Sequence, residues 1–263
     1  MKRPDAAMNV SVCMATYNGA RYLPAQMSSI LSQLGSEDEV VVVDDASSDN
    51  SVELLRSLGD ARIRIHRNER NLGHVGSFDR ALSLARHEVL VMSDQDDVWL
   101  PERLARMKDG LREPGCWVLS SNTTFIDAEG RPTTYETEGV RSADSRRYLG
   151  NIAGIFTGRH CYYGCAMAMR REILPIILPM PTFVESHDLW IAMAGNAARA
   201  NVHLDANTLA RRLHGRNASV LSRPLRQKLW SRVVFLQSLL VILWRLLRQR
   251  HRSAECAAPS VSR

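Results

Sequence analysis

The sequence predicts an α/β fold, in which a doubly wound, mostly parallel sheet carries flanking helices and is followed by a C-terminal helical tail. Strand-like runs alternate with helical patterns through the first 110 residues, at the spacing of consecutive βαβ units. The runs 39–44 and 89–93 are apolar almost throughout, which is typical of strands buried on both faces. With 45% apolar and 24% charged residues, the composition is that of a packed globular protein and excludes a disordered or fibrous chain.

Each element is indicated by its own local pattern. Apolar and β-branched runs predict strands over residues 9–15, 39–44, 89–93, 117–124 and 165–169, and the alternating pattern of residues 62–67 predicts a further strand. Apolar residues at helical spacing predict helices over residues 23–34, 49–58, 76–85, 101–110 and 189–200. The polar stretch 127–139 contains the turn signals Glu129-Gly130 and Arg131-Pro132, and we expect a loop there.

Positive charge is concentrated near the C-terminus. Residues 206–254 contain 11 Lys and Arg and no acid, so the formal charge of +6 leaves −5 for the remainder. A mildly acidic body does not suit nucleic-acid binding, so we expect no nucleic-acid partner and a basic appendage facing an anionic partner or surface. The five cysteines are scattered, and no long apolar segment precedes the first strand. We therefore expect a reduced, cytoplasmic protein without a signal peptide.

Two acidic residues stand at the end of the second predicted strand, where Asp44 closes the strand and Asp45 follows it. Ligands of open α/β sheets bind beyond the carboxyl ends of the strands. Because an unpaired buried carboxylate is costly, we expect both side chains to face a solvated crevice. The structural alternative is a capping turn that Ser47, Ser48 or Asp49 could satisfy alone.

A denser acidic group, Asp94-Gln95-Asp96-Asp97, follows the fourth predicted strand. Three carboxylates within four residues repel one another, and a divalent cation relieves that repulsion. Oxygen ligands at this density suit Mg²⁺ or Mn²⁺ bound through one or two carboxylates while bridging a diphosphate. The alternative is an acidic start to the helix over 101–110, favoured by the helix dipole. Both hold if Asp97 caps the helix while Asp94 and Asp96 face the ligand.

Five segments follow, in order and spacing, the motifs of one enzyme family. They read VSVCMATYNGARYL, VVVDDASSDNS, NLGHVGSFDRAL, SDQDDVWLPERL and ESHDLW. Through them, residues 9–215 resemble the family 2 inverting glycosyltransferases, whose fold is GT-A. The form SDQDDVW, together with YYGCAMAMRR, HDLW and RRLHGRNAS, is most similar to the bacterial rhamnosyltransferase branch. The resemblance implies a GT-A domain over residues 1–218, with a donor-binding half (9–110) and an acceptor half (111–218). The charge and apolar pattern of the remaining residues predict a basic amphipathic helix and tail over 219–263.

The resemblance also implies roles for individual residues. The donor nucleotide would contact Ala15, Thr16, Tyr17, Asp44, Asp45, Asn71, Gly73 and Asp94. In that set, Asp45 matches the acid that accepts a hydrogen bond from the base. Asp96 and Asp94 match the metal-binding acids, and His214 falls where some relatives place a further ligand to the metal or diphosphate. Asp188 falls where the family keeps its catalytic base.

Two positions keep alternatives open. His187 stands where the family usually has a glutamate, so it would either orient and tune the base or only begin a helix. His214 could coordinate a metal as a neutral imidazole. Alternatively, the neighbouring Arg211 and Arg212 could neutralise a diphosphate, or the segment could be a solvated basic strand.

The implied reaction is displacement at a sugar anomeric carbon by an acceptor hydroxyl, with inversion. The donor would be a nucleoside-diphosphate sugar (dTDP-L-rhamnose or a UDP-sugar), and the acceptor a glycan or lipid-linked saccharide in cell-surface polysaccharide synthesis. A sugar nucleotidyltransferase and an inactive nucleotide-sugar-binding protein are the alternatives. A single glycine before Arg21, in place of a glycine-rich phosphate loop, disfavours the first. The intact acids at Asp45, Asp96 and Asp188 disfavour the second.

The tail is a strong helical candidate from Arg223 onward, with apolar side chains crowded between Val233 and Leu247. The apolar stretch of about 15 residues includes Gln237 and Ser238 and is short for a membrane span. Its flanking basic residues and its tryptophans are typical of a helix that lies in the membrane interface. We therefore expect peripheral contact with the inner face of the cytoplasmic membrane. The alternative is a helix packed on the body or on a second subunit.

Overall fold

The computed structural model describes residues 8–214 and 225–257, and its strands form one eight-stranded sheet. The strands are β1 (Val10–Thr16), β2 (Glu39–Asp44), β3 (Ile63–Arg67), β4 (Val89–Ser93), β5 (Val98–Trp99), β6 (Val118–Ile126), β7 (Met167–Arg170) and β8 (Asn201–Arg212). The helices are α1 (Leu23–Leu31), α2 (Ser51–Ser57), α3 (Gly73–Leu84), α4 (Arg103–Leu111), α5 (Tyr148–Thr157), α6 (Leu174–Ile177), α7 (His187–Ala197) and α8 (Leu225–Ala257).

The sheet has the order β3-β2-β1-β4-β7-β6-β8-β5. Its first four strands are parallel, as the alternation of strands and helices predicts. β7 runs antiparallel to both β4 and β6, and β8 pairs parallel with β6. The predicted α/β class and mostly parallel sheet are confirmed. The carboxyl ends of β1, β2 and β4 consequently lie side by side at one edge.

The sheet is covered on both faces, which explains why β2 and β4 are apolar almost throughout. Alternate side chains of one strand enter opposite cores: Val41 faces the core that includes α3 and α7, and Val42 faces the core that includes α1 and α4. Burying such side chains on both faces contributes about 25 cal/mol per Å² of apolar surface. The carboxyl edge is thereby held on a rigid support.

Several elements differ from the sequence prediction. The strands β5 and β8 and the helices α5 and α6 are additional to it, and α4 begins after β5 rather than at residue 101. β8 mixes polar and apolar residues, and its ladder with β6 shifts register on either side of Asn122, so buried and exposed side chains do not alternate regularly along it. The predicted boundary between residues 218 and 219 lies outside the described residues.

The tail forms a single helix, α8, of 33 residues. Its segment Leu229–His251 is long and apolar enough to cross a membrane by length and composition. The sequence prediction of an apolar stretch too short for a span was therefore too restrictive, because the helix continues through Gln237, Ser238 and Arg245. In the structure, one face of α8 is packed on the body, where Ile242 and Leu246 join the core.

Candidate functional site

The end of β1 is fastened to the turn after β4 by one side chain. The Gln95 amide oxygen accepts hydrogen bonds from the Thr16 hydroxyl (2.7 Å) and the Tyr17 backbone N–H (2.8 Å), and its NH₂ donates to the Tyr17 carbonyl (3.3 Å). Gly19 allows this approach, since a Cβ there would lie 2.3 Å from the Gln95 oxygen. The predicted nucleotide-contacting segment Ala15-Thr16-Tyr17 therefore lies against the acidic turn, with Tyr17 exposed.

Asp44 and Asp45 are buried, and the expectation that both face a solvated crevice was wrong. Asp44 accepts a hydrogen bond from the Ser47 backbone N–H (3.1 Å) and forms an ion pair with Arg67 at 3.4 Å. Donors from the following turn and from β3 thus offset the cost of burying this carboxylate. Asp44 therefore connects the end of β2 to the turn that follows it and to β3.

Asp45 organises the loop that contains Asn71 and Gly73. Its carboxylate accepts hydrogen bonds from the Asn68 amide (2.7 Å) and from the backbone N–H groups of Leu72 (2.7 Å) and Gly73 (2.9 Å). Asn71 donates to the Asp45 carbonyl at 3.4 Å and accepts from Gly73. A carboxylate has about four acceptor positions, so one remains for a ligand. The structure therefore brings these three predicted residues together.

The acidic turn after β4 brings the carboxylates of Asp94, Asp96 and Asp97 close together where water has little access. Burial, followed by the charges of Asp97 and Asp96, raises the pKa of Asp94 well above its ordinary value. Burial and the Asp96 charge raise the pKa of Asp97 to about 6. One Asp97 oxygen accepts from the Arg212 backbone N–H at 2.9 Å, and the other has no hydrogen-bond partner among the described residues. A cation bound here would relieve this repulsion.

Asp97 does not cap a helix, contrary to the sequence prediction. Strand β5 intervenes, and the residue that precedes α4 is Glu102. Asp97 instead joins the turn after β4 to the end of β8 through Arg212. The physical reason is that β5 pairs with β8, which draws the chain after Asp97 away along the sheet edge.

Asp96 and His214, predicted together from distant parts of the sequence, are in contact. His214 Nε2 lies 2.8 Å from Asp96 Oδ2. The Tyr22 ring stacks on the imidazole with 4.9 Å between centroids, and the Arg212 guanidinium lies 5.1 Å from the same Tyr22 ring. Arg212 also donates from Nε to the Asp96 carbonyl at 2.8 Å. The imidazole is therefore held in place against the acidic turn.

The residues of this turn fit a hard divalent cation. Ligand atoms of Asp94, Asp97 and Cys165 all lie within 4.8 Å of one another. Burial raises the pKa of the Cys165 thiol well above its ordinary value, so it stays protonated and is a poor ligand. Carboxylate oxygens suit Mg²⁺ and Mn²⁺, and neutral imidazole is a common metal ligand. The structure thus groups the carboxylates of Asp94 and Asp97, and separately pairs Asp96 with His214.

Asp188 lies in the first turn of α7. Ser186 is the N-cap: its hydroxyl accepts from the Leu189 backbone N–H at 3.3 Å and contacts Asp188 Oδ1. Asp188 Oδ1 also accepts from the Leu189 N–H at 2.9 Å. The charge of Asp188 contributes to the raised pKa of Asp94, so the two carboxylates are near enough to interact electrostatically. The predicted base and the predicted metal ligand therefore lie in the same region of the molecule.

His187 is buried behind Asp188 and is neutral. Its ring packs 4.2 Å from Phe78, and neither ring nitrogen has a hydrogen-bond partner among the described residues. Burial lowers the pKa of His187 to about 4. Gly164 makes room for it, since a Cβ there would lie 2.4 Å from His187 Nε2. Of the two sequence alternatives, the packing favours a helix-start residue that fixes the backbone of Asp188.

Arg103 and Gln95 are supporting residues that sequence reasoning missed. Arg103 is fully buried, donates to the Cys165 carbonyl at 2.5 Å and to the Thr208 hydroxyl, and stacks on Trp99. Burial lowers its pKa to about 10, so it remains charged at neutral pH beneath the acidic turn. The one sequence signal was an arginine on the apolar face of α4. No sequence signal pointed to the role of Gln95, because its partners are 78 and 79 residues away in the sequence.

The comparisons with known proteins identify a family. The model of glycosyl transferase family 2 matches residues 11–176. An uncharacterised glycosyltransferase of Nostoc sp. is 30% identical over 176 residues, which are 66% of this chain and 54% of that protein. The UDP-Glc:α-D-GlcNAc-diphosphoundecaprenol β-1,3-glucosyltransferase WfgD of Escherichia coli is 35% identical over 95 residues, 36% of this chain and 38% of that protein. The chain thus spans about half or less of the length of these relatives.

Solved structures have the same fold. The S. aureus protein TarS (residues 1–349) in complex with UDP-GlcNAc superposes with a TM-score of 0.65 at 21% identity, over 90% of this chain and 72% of that one. The mannosyltransferase PcManGT from Pyrobaculum calidifontis, in complex with GDP-Man and Mn²⁺, gives a TM-score of 0.59 at 19% identity, over 98% of this chain and 80% of that one.

Proposed function

Since the chain belongs to glycosyl transferase family 2, we propose that it is an inverting glycosyltransferase that moves a sugar from a nucleoside diphosphate to an acceptor hydroxyl. One observation carries this proposal: the Asp96–His214 pair lies at the carboxyl edge of the sheet, in the same acidic turn as Asp94, whose pKa is raised in part by the charge of Asp188. A cation-binding group and a carboxylate base are what this reaction needs on either side of a donor sugar.

The donor nucleotide is proposed to lie between the end of β1 and the loop after β3. Thr16 and Tyr17 offer a polar, partly exposed edge, and Asp45 keeps one acceptor position for a base N–H. The relative WfgD is named for UDP-Glc and TarS was solved with UDP-GlcNAc, which supports a UDP-sugar as the first donor to test. dTDP-L-rhamnose is the second, on the resemblance to the rhamnosyltransferase branch.

Asp94, Asp96 and His214 are proposed to hold Mg²⁺ or Mn²⁺ beside the diphosphate. The bound cation would neutralise the negative charge that develops on the leaving group. Arg211 lies close enough to Asp94 and Asp97 for its charge to oppose theirs, and it stacks 4.6 Å from the Tyr163 ring. A fixed guanidinium there would also favour a diphosphate. The raised pKa of Asp94 supports a cation in this position, because the turn is otherwise over-supplied with negative charge.

Asp188 is proposed to accept the proton of the attacking hydroxyl. The Ser186 hydroxyl and the Leu189 N–H both contact Asp188 Oδ1, which leaves Oδ2 to face the acceptor. The acceptor approaches the anomeric carbon from the face opposite the diphosphate, so a single displacement inverts that carbon. A base of this kind contributes about 10²–10⁴-fold to the rate.

The acceptor is proposed to be a glycan or lipid-linked saccharide of cell-surface polysaccharide synthesis, at the inner face of the cytoplasmic membrane. The name of WfgD, which includes a diphosphoundecaprenol-linked acceptor, supports this class. A lipid-linked acceptor would also explain why an enzyme of this kind carries a basic apolar helix.

The test is a donor screen with the purified chain. Thermal shift with UDP, dTDP and GDP, with Mn²⁺ or EDTA, should show metal-dependent stabilisation by one nucleotide. Incubation with the matching sugar nucleotide should then release the nucleoside diphosphate without pyrophosphate exchange. Exchange of pyrophosphate would instead identify a nucleotidyltransferase. Complete indifference to nucleotides with and without Mn²⁺ would refute the proposal.

A further inference from the structure

Helix α8 has two apolar faces on opposite sides. The inner face consists of buried side chains packed on the body: Val234, Phe235, Ser238, Ile242 and Leu246. The outer stripe consists of Leu229, Trp230, Val233, Leu236, Leu240, Leu243, Trp244 and Leu247, each 43–68% exposed. These eight residues recur at spacings of three and four, so they form one continuous line along the helix. At 1.5 Å per residue the stripe is about 27 Å long.

Polar contacts fix the inner face to the segment that leads to Asp188. Arg245 donates to the carbonyls of Ile176 (2.9 Å) and Pro179 (2.7 Å). Trp230, at the edge of the outer stripe, donates from its indole N–H to Glu185 at 3.0 Å. Glu185 precedes Asp188 by three residues. These contacts therefore fix the orientation of α8, and hence of the outer stripe, beside the segment that leads to Asp188, the proposed catalytic base.

The size of the outer stripe requires an explanation. Scattered exposed apolar side chains are normal, but a continuous apolar line with two tryptophans marks an interaction surface. Exposure of this apolar surface to water is energetically unfavourable. The inner face is already occupied by the body, so a transmembrane position for α8 would require these contacts to break.

The charges on α8 decide what can cover the stripe. Between Leu225 and Arg252 the sequence has seven Lys and Arg and no Asp or Glu. Arg226 lies exposed near one end of the stripe, and Arg248 and Arg250 lie exposed near the other. A second copy of α8 would bring like charges together in either a parallel or an antiparallel pairing. An anionic lipid surface attracts both ends at once.

We propose that α8 is an interfacial membrane helix that lies in an anionic bilayer surface with the outer stripe among the lipids. Trp230 and Trp244 would lie at the headgroup level, and the arginines at both ends would contact lipid phosphates. The lipid contact itself is independent of the proposed function. The presentation of a lipid-linked acceptor rests on the proposed function. Because α8 is fastened beside Glu185, bilayer contact would present a lipid-linked acceptor to Asp188.

The test measures lipid binding without donor or acceptor, so that its outcome is independent of activity. Full-length protein is floated with vesicles of phosphatidylcholine alone or with 30% phosphatidylglycerol (about one anionic lipid in three) at low salt. Leu240→Glu and Leu243→Glu, separately and together, place charge in the stripe. Leu149→Glu is the matched control, since Leu149 is 80% exposed on α5. Circular dichroism and nucleotide thermal shift check that each variant folds.

Wild type and Leu149→Glu should float with anionic vesicles and much less with neutral ones or in high salt. The double variant should lose at least about tenfold in partitioning, because two leucines that would be buried among the lipids become charged. Tryptophan fluorescence should shift to the blue on vesicle binding in wild type and Leu149→Glu but not in the double variant. Failure of wild type to float, or equal flotation of the double variant, would overturn the proposal. If wild type does not bind vesicles but forms a dimer, and the double variant is a monomer, the stripe would instead be an interface with a second copy.

Discussion

His214 Nε2 lies 2.8 Å from Asp96 Oδ2, which joins the end of β8 to the turn after β4. The two residues are 118 apart in the sequence, and the parallel pairing of β6 with β8 carries His214 to the carboxyl edge. The Tyr22 ring stacks on the imidazole, and the Arg212 guanidinium lies over the Tyr22 ring. Two potential ligands of one cation thus lie within three residues of strand ends and are already in contact, so little ordering is needed on binding.

The first prediction concerns this pair. Asp96→Asn and His214→Gln should each weaken Mn²⁺-dependent UDP binding by about 10–100-fold, because each removes one ligand or leaves the other misplaced. The double variant should lose less than the two single losses combined, since both residues serve one site. Isothermal titration with Mn²⁺ and with EDTA measures the effect. Asp109→Asn, the same chemical change at an exposed position on α4, is the control. Unchanged affinity with unchanged EDTA sensitivity in either single variant would reject the assignment.

The second prediction concerns Asp188. Asp188→Asn preserves an acceptor for the Leu189 N–H and the Ser186 hydroxyl but removes basicity. Sugar transfer should fall about 10²–10⁴-fold while donor affinity stays at the wild-type level. Single-turnover transfer and equilibrium donor binding, measured on the same preparation, separate the two effects. Near-normal transfer would show that another group accepts the proton.

The third prediction tests whether the packing of His187 against Gly164 positions Asp188. In Gly164→Ala the new Cβ would meet His187 Nε2 at 2.4 Å and the Asp188 Cβ at 3.3 Å, so the start of α7 must move. A displacement near 1 Å can cost about 10²-fold in rate, and we expect a loss of transfer of this order. Gly150→Ala on α5 is the matched control, because its Cβ would meet only Arg147 at 3.8 Å. The control should keep full activity and gain up to about 1 kcal/mol of stability. Equal activity of the two variants would mean that the turn around Gly164 yields without moving α7.

The strands β1, β2 and β4 could be predicted because each is a nearly continuous apolar run buried on both faces, and β3 was predicted from its alternating pattern. β8 could not be predicted, since it mixes polar and apolar residues without one regular alternation, and its ladder with β6 shifts register next to Asn122. The positions of Asp96, Asp188 and His214 followed from a family resemblance, and the structure brings them to one edge. The burial of Asp44 and Asp45 could not be foreseen, because their partners include Arg67, Asn68 and the Leu72 N–H, which only the folded chain places nearby.

Helix α8 shows a different limit. Its apolar residues were visible in the sequence, but one dense cluster does not show that two separate faces exist. The contact of Ile242 with the core and the exposure of Leu240 distinguish them. The two sequence alternatives, membrane contact and packing on the body, are therefore compatible with one helix.

The last prediction follows from the buried, neutral His187. Burial lowers its pKa to about 4 in the folded chain, against 6.5 when it is exposed. At pH 7.5 the imidazole is neutral in both states and contributes no pH dependence. As the pH falls below 6.5, the unfolded chain binds a proton that the folded chain does not, so stability is lost until the pH reaches about 4. At pH 5 this loss amounts to about 2 kcal/mol of the free energy of unfolding.

His187→Leu isolates this contribution, because leucine fills the space beside Phe78 without titrating. Urea unfolding of wild type and variant at pH 7.5 and pH 5 gives four free energies. Other groups titrate equally in both proteins, so the drop between the two pH values should be smaller in the variant by about 2 kcal/mol. An equal drop in both proteins would show that His187 takes up a proton in the folded state. In that case the imidazole would be open to a charged role beside Asp188, which its packing against Phe78 and Gly164 argues against.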